Sequence, residues 1–159
     1  MLWVFLLFAV LPYLLPFIGG YTYLGAEVLI WSIFALGFNI LLGYTGLPSF
    51  GHGAFFGIGA FVMAILQLRV MHGMWIPMVL STVGGALFGA LVGLFVAKKR
   101  GIYFALLTIA FSQMFWFITW QWDTVTGGED GLAGVNRIPI ELPGLPAIDL
   151  KDITAFYYF

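Results

Sequence analysis

The chain has 159 residues, of which 62% are hydrophobic and 8% charged, with a net charge of −1 and no cysteine. Its charged fraction is about a third of that in a soluble domain, and no soluble fold of this size could hide so much apolar surface. The balance of charge leaves no basic patch for nucleic acid, and the lack of cysteine excludes disulfides, thiolate metal sites and a cysteine nucleophile. What remains is an all-α, polytopic helical bundle in a membrane.

In chain order, uncharged or nearly uncharged runs fall at residues 2–18, 24–42, 54–68, 74–97 and 102–120. A membrane span needs about 20 apolar residues, with a range of roughly 17–25. Five spans are predicted, within a single permease-like domain covering residues 1–159. The third run is short unless the break before it also lies in the membrane. The first run lacks a basic start and a small-residue cleavage site, and Pro12 and Pro16 interrupt it, so it reads as a retained helix and not a signal peptide.

The only basic cluster is Lys98, Lys99 and Arg100, between the fourth and fifth runs. The positive-inside rule puts it in the cytoplasm as a topology anchor. It could also meet a cytoplasmic partner or anionic membrane lipid. Alternation then places the N-terminus and 43–53 inside, and 19–23, 69–73 and 123–152 outside. Trp116, Trp120 and Trp122 stand where the fifth helix should leave the bilayer. The outer segment 123–152 carries more acids than bases and is rich in Gly and Pro. It reads as a structured loop with a short strand near 138–142, and Glu129 and Asp130 are its candidates for docking an extracytoplasmic partner. A solvated loop would look the same. The aromatic residues 156–159 resemble the threshold of a sixth span, which suggests a truncated chain.

The segment 43–60 holds Gly43, Gly46, Gly51, Gly53, Gly57 and Gly59 together with Pro48. Such a segment makes a poor isolated helix. Unpaired backbone amides are costly in lipid, so a broken helix here should be packed in protein or line a path. An ordinary cytoplasmic turn is the competing reading. Gly53 and Gly57, and Gly85, Gly89 and Gly93, form small-residue stripes that favour close helix packing over a cofactor site. Neither stripe has the spacing of a phosphate-binding loop. The intramembrane polar residues Asn39, Ser49, His52 and Gln113 are candidates for a translocation path or hinge. For each, hydrogen bonding that only fixes packing is the plainer role. His52 could titrate near neutral pH or simply pack at a helix start. No catalytic set, metal-ligand set or pair of intramembrane carboxylates is visible, so no enzyme, metal or cofactor is expected.

The blocks GYTGLPSFGHGAFFGIGAF (43–61), RGIYFALLTIAFSQMFWF (100–117) and TGGEDGLAGV (126–135) together resemble the permease subunits of branched-chain amino acid ABC transporters of the LIV type. The resemblance covers about residues 24–137. It implies an inner-membrane importer of bacteria. A second homologous permease subunit would complete the channel, two cytoplasmic ATPase subunits would drive it, and a periplasmic solute-binding protein would deliver the substrate. Family members are usually about twice as long as this chain. Related permeases move urea, short amides or other amino acids, so these stand as alternatives, as does an ion-coupled secondary carrier.

Overall fold

The computed structural model describes residues 2–17, 19, 21–71, 73–136, 138–139, 150 and 153–158. The helices in chain order are α1 (Leu2–Phe17), α2 (Thr22–Asn39), α3 (His52–Arg69), α4 (Trp75–Val96), α5 (Ile102–Gln121), α6 (Asp123–Thr126) and α7 (Ile153–Tyr158). A π-helical turn (Ile40–Tyr44) extends α2, and a 3-10 turn (Gly128–Asp130) follows α6. No strand occurs among the described residues. The strand expected near 138–142 falls partly outside them. Ile138 and Pro139 have no regular structure.

Four segments are long and apolar enough to cross a membrane: Tyr23–Tyr44, His52–Arg69, Trp75–Val96 and Ile102–Gln121. They correspond to the second to fifth predicted runs. α1 has 16 residues, which at 1.5 Å per residue is about 24 Å, short of a hydrocarbon core of about 30 Å. Large apolar side chains remain exposed around these helices, among them Leu87, Leu94, Phe95 and Ile102. Helices apolar on all sides belong in lipid or among further helices.

The chain divides into two compact units, one of residues 1–36 with 137–159 and one of residues 37–136. In the first, α1 continues through Pro12 although proline removes a donor. The carbonyl of Phe8, one turn earlier, therefore has no helical N–H to accept from. The Tyr157 hydroxyl donates to it at 2.5 Å. Tyr157 is buried and also packs against Gly25, where a Cβ would stand 3.0 Å from its ring. Replacing Tyr157 with phenylalanine keeps the ring and orphans the carbonyl, at a cost of about 2 kcal/mol. A lowered melting temperature of the purified protein checks this; an unchanged one counts against it.

In the second unit, α3, α4 and α5 pack around Val92, Val96 and Phe104, with Leu41, Leu47, Phe55, Phe88, Leu107 and Phe111 against them. Aromatic rings continue this core. His52 lies between Phe38 and Phe55 at centroid distances of 5.7 and 6.0 Å. Phe55 meets Phe88 at 5.9 Å, and Phe88 meets Phe115 at 6.1 Å. Pro77 lies in the first turn of α4, where its missing N–H has no helical acceptor to lose.

The glycine-rich stretch divides differently from expectation. Residues 45–51 are irregular, but α3 starts at His52 and takes in Gly53, Gly57 and Gly59. A low-dielectric surrounding demands that backbone amides be bonded within the segment, and this overrides the poor helix propensity of glycine. The third helix thereby gains two residues at its start relative to the apolar run.

Candidate functional site

The break lies between the π turn and α3. The Thr45 hydroxyl folds back onto the carbonyl of Leu41, and the Gly46 N–H donates to the Leu42 carbonyl at 3.0 Å. Gly46, at φ 69°, then turns the chain. Leu47 packs against the core cluster of α4 and α5, while Gly51 meets Thr108, six residues into α5. The segment thus runs inward along the bundle from the α4–α5 end and is not a turn laid over it. At Gly51 a Cβ would collide with the Thr108 carbonyl oxygen and stand 3.2 Å from the Ser112 Cβ. Beside it, Ser49 is 2% exposed and its hydroxyl has no hydrogen-bond partner. The Thr108 hydroxyl, also buried, is taken up by the Ala105 carbonyl at 2.8 Å. Ser49, Gly51, His52, Thr108 and Ser112 therefore form a tight polar seam in an apolar bundle.

Of the four path or hinge candidates, Ser49 and His52 belong to this seam. Asn39 is exposed at the end of α2, with its Oδ1 over Gly43, where a Cβ would approach it to 3.1 Å. Gln113 is exposed on α5. Of the packing glycines, Gly57 faces Phe115, with a Cβ 3.2 Å from the ring, and Gly85 and Gly89 each lie 3.9 Å from Phe55. Gly53 and Gly93 have nothing within 4 Å within this chain. The closest glycine contact between α3 and α4 is Gly84, 3.3 Å from Val62. Gly51 and Gly84 were not singled out by spacing. Their signal is tertiary: each is the glycine whose Cα happens to face a neighbour.

The second feature is the loop after α5. The Thr126 hydroxyl, buried, donates within reach of the carbonyls of Thr119 at 2.6 Å and Trp122 at 2.9 Å, and accepts from the Gly128 N–H at 3.3 Å. Gly127, Gly128, Gly131 and Gly134 all have positive φ. The Arg69 guanidinium at the end of α3 donates to the carbonyls of Thr124 and Val125, tying that helix to the loop. Glu129 and Asp130 are exposed on the 3-10 turn. At the other end of the helices, Lys98, Lys99 and Arg100 are exposed between α4 and α5. Among the described residues no cluster of side chains could hold a metal ion.

Long helices apolar on every face, with a buried break, define a multi-pass helical membrane protein. The chain matches the family of the permease component of the branched-chain amino acid transport system over residues 21–157, and it belongs to that family. It is 30% identical over 118 residues to the high-affinity branched-chain amino acid transport system permease protein LivM of Salmonella typhimurium, an alignment covering 74% of this chain and 28% of the relative. It is 30% identical over 109 residues to LivM of Escherichia coli, covering 69% of this chain and 26% of the relative. The chain thus spans about a quarter of the length of these curated relatives. No solved structure matches.

Proposed function

We propose that the chain forms membrane-spanning helices of a permease subunit in an ATP-driven importer of branched-chain amino acids. Membership of the permease family carries this reading, together with relatives named for branched-chain amino acid transport. A second permease subunit, two cytoplasmic ATPases and a periplasmic solute-binding protein would complete the assembly. The exposed Lys98, Lys99 and Arg100 support a cytoplasmic α4–α5 link by the positive-inside rule. That orientation sets the N-terminus inside and makes α1 a fifth, short span in the bacterial inner membrane. It turns the loop bearing Glu129 and Asp130 outward, where the solute-binding protein would dock. The polar seam at Ser49, His52 and Thr108 serves as the hinge. Asn39 and Gln113, exposed on their helices, meet the path or the second subunit. An aliphatic zwitterion needs few polar contacts in passage, which suits a bundle so poor in charge.

Leucine uptake in the source bacterium tests the proposal. Deleting the gene should remove uptake, and restoring it should bring uptake back. A protonophore should leave uptake in place while cellular ATP is held up, and ATP depletion should stop it. Uptake indifferent to the deletion, or collapsing with the protonophore at constant ATP, would sink the proposal; the second result would favour an ion-coupled carrier.

A further inference from the structure

On α3, Ala60, Ala64 and Gln67 follow one another at helical spacing along one face. The loop beyond the 3-10 turn lies over that face. Leu132 forms an open cleft of about 160 Å³ with Ala60, Phe61 and Ala64. Two residues further on, Gly134 approaches Leu68, whose Cδ2 would lie 3.8 Å from an added Cβ. Gln67 itself is 5% exposed, and its Nε2 donates to the Asn136 carbonyl at 2.7 Å. A carbonyl only accepts, so this bond fixes which end of the carboxamide is nitrogen. The other end, Oε1, is buried with no hydrogen-bond partner. A buried acceptor without a donor is destabilising, and a leucine of similar length would avoid it. The chain keeps an amide here at a cost to the closed arrangement.

We propose that this cleft binds an aliphatic amino acid, with Gln67 reading its polar end and the walls from α3 and Leu132 seating its branched side chain. The proposal rests on the importer reading above and names a site for its substrate. A carboxamide offers an acceptor and donors side by side. That pair complements the ammonium and carboxylate of a zwitterion without placing a net charge in an apolar surrounding. In the arrangement seen, the Asn136 carbonyl occupies the Nε2 donor as a ligand carboxylate would, while Oε1 lacks the ammonium. Binding lifts residues 131–136 from α3 and exchanges one neutral hydrogen bond for two charge-assisted ones. The size agrees, since an apolar cavity of about 150 Å³ admits benzene and a branched butyl group is smaller.

Photo-crosslinking of the complete transporter tests it, using a diazirine analogue of leucine and peptide mapping by mass spectrometry. Label is expected on the 60–64 segment and on Leu132. Excess leucine should remove it. 4-Methylpentanoate, which lacks the ammonium, and isoamylamine, which lacks the carboxylate, should not. Gln67→Leu, which assembles because it removes a buried orphan, should cut the labelling about tenfold or more. Label confined to other segments, or equal protection by the two analogues, overturns the proposal even if Gln67→Leu fails to assemble. Unchanged labelling of an assembled Gln67→Leu complex also overturns it. If leucine uptake depends on this chain while the label misses the cleft, the site is wrong and the importer reading stands.

Discussion

Gly51→Leu is expected to destabilise the 37–136 unit by about 3 kcal/mol, the upper end of what overpacking usually costs. A Cβ at this position meets the carbonyl oxygen and carbon of Thr108, the latter at 2.7 Å. These are backbone atoms inside α5 and cannot swing aside as a side chain would. Relief requires either that α5 move away from the break or that 45–51 leave the bundle. Either motion uncovers the buried Ser49 and the Leu47 contact with the core. The expected readout is a fall of several degrees in melting temperature and a loss of membrane-inserted protein. Gly53→Ala supplies the contrast. Nothing lies within 4 Å of an added Cβ there, and alanine favours a helix over glycine by about 0.5–1 kcal/mol. The two glycines are two residues apart, and opposite signs of effect are expected. Equal stability of Gly51→Leu and the parent chain would show that the break does not sit against α5.

Gly127→Ala should open the loop after α5. Gly127 has φ +79°, and its added Cβ would collide with the Gly131 carbonyl oxygen. The left-handed backbone alone costs an L-residue about 1–2 kcal/mol, and the collision adds to it. Protease cleavage within 127–134 should accelerate by about tenfold or more, following the free energy of local opening. Gly128→Ala is the milder neighbour. Its φ is +56°, and its Cβ collides first with the Asp123 carboxylate, a side chain able to turn away. Leucine uptake should fall in the same order if the loop presents Glu129 and Asp130 to a docking partner. Cleavage rates equal to those of the parent chain would contradict the tight loop.

Four of the helices were legible in the sequence because apolar runs bounded by charge or glycine have no other stable form in lipid. The fifth predicted run ended at Trp120 and the helix ends at Gln121. The break was visible too, from Pro48 and its neighbouring glycines. Its shape was not. Composition weighs Gly51 and Gly53 alike, yet one faces a backbone and the other open space. The i, i+4 spacing of Gly53 and Gly57 identified a helical face without identifying its neighbour. Gln67 had the opposite fate. It is a lone amide in an apolar run, a signal present in the sequence, and its meaning depended on Asn136, 69 residues away. Tyr157 is a similar case. Its bond answers a donor missing at Pro12, a demand that local reading could pose but not fill.

The π turn at Ile40–Tyr44 carries a consequence for how such a chain can diverge. An i to i+5 turn holds one residue more than an α turn. Each residue of an α-helix advances the face by about 100°. A relative lacking one residue here would present a different side of all that follows, Leu41 and Leu47 included. Length at this point is therefore held more strictly than the identity of any one residue in it. Ancestral gain or loss of a single codon within 40–44 would act as a rotation, reorienting the approach to α3 while leaving every helix intact.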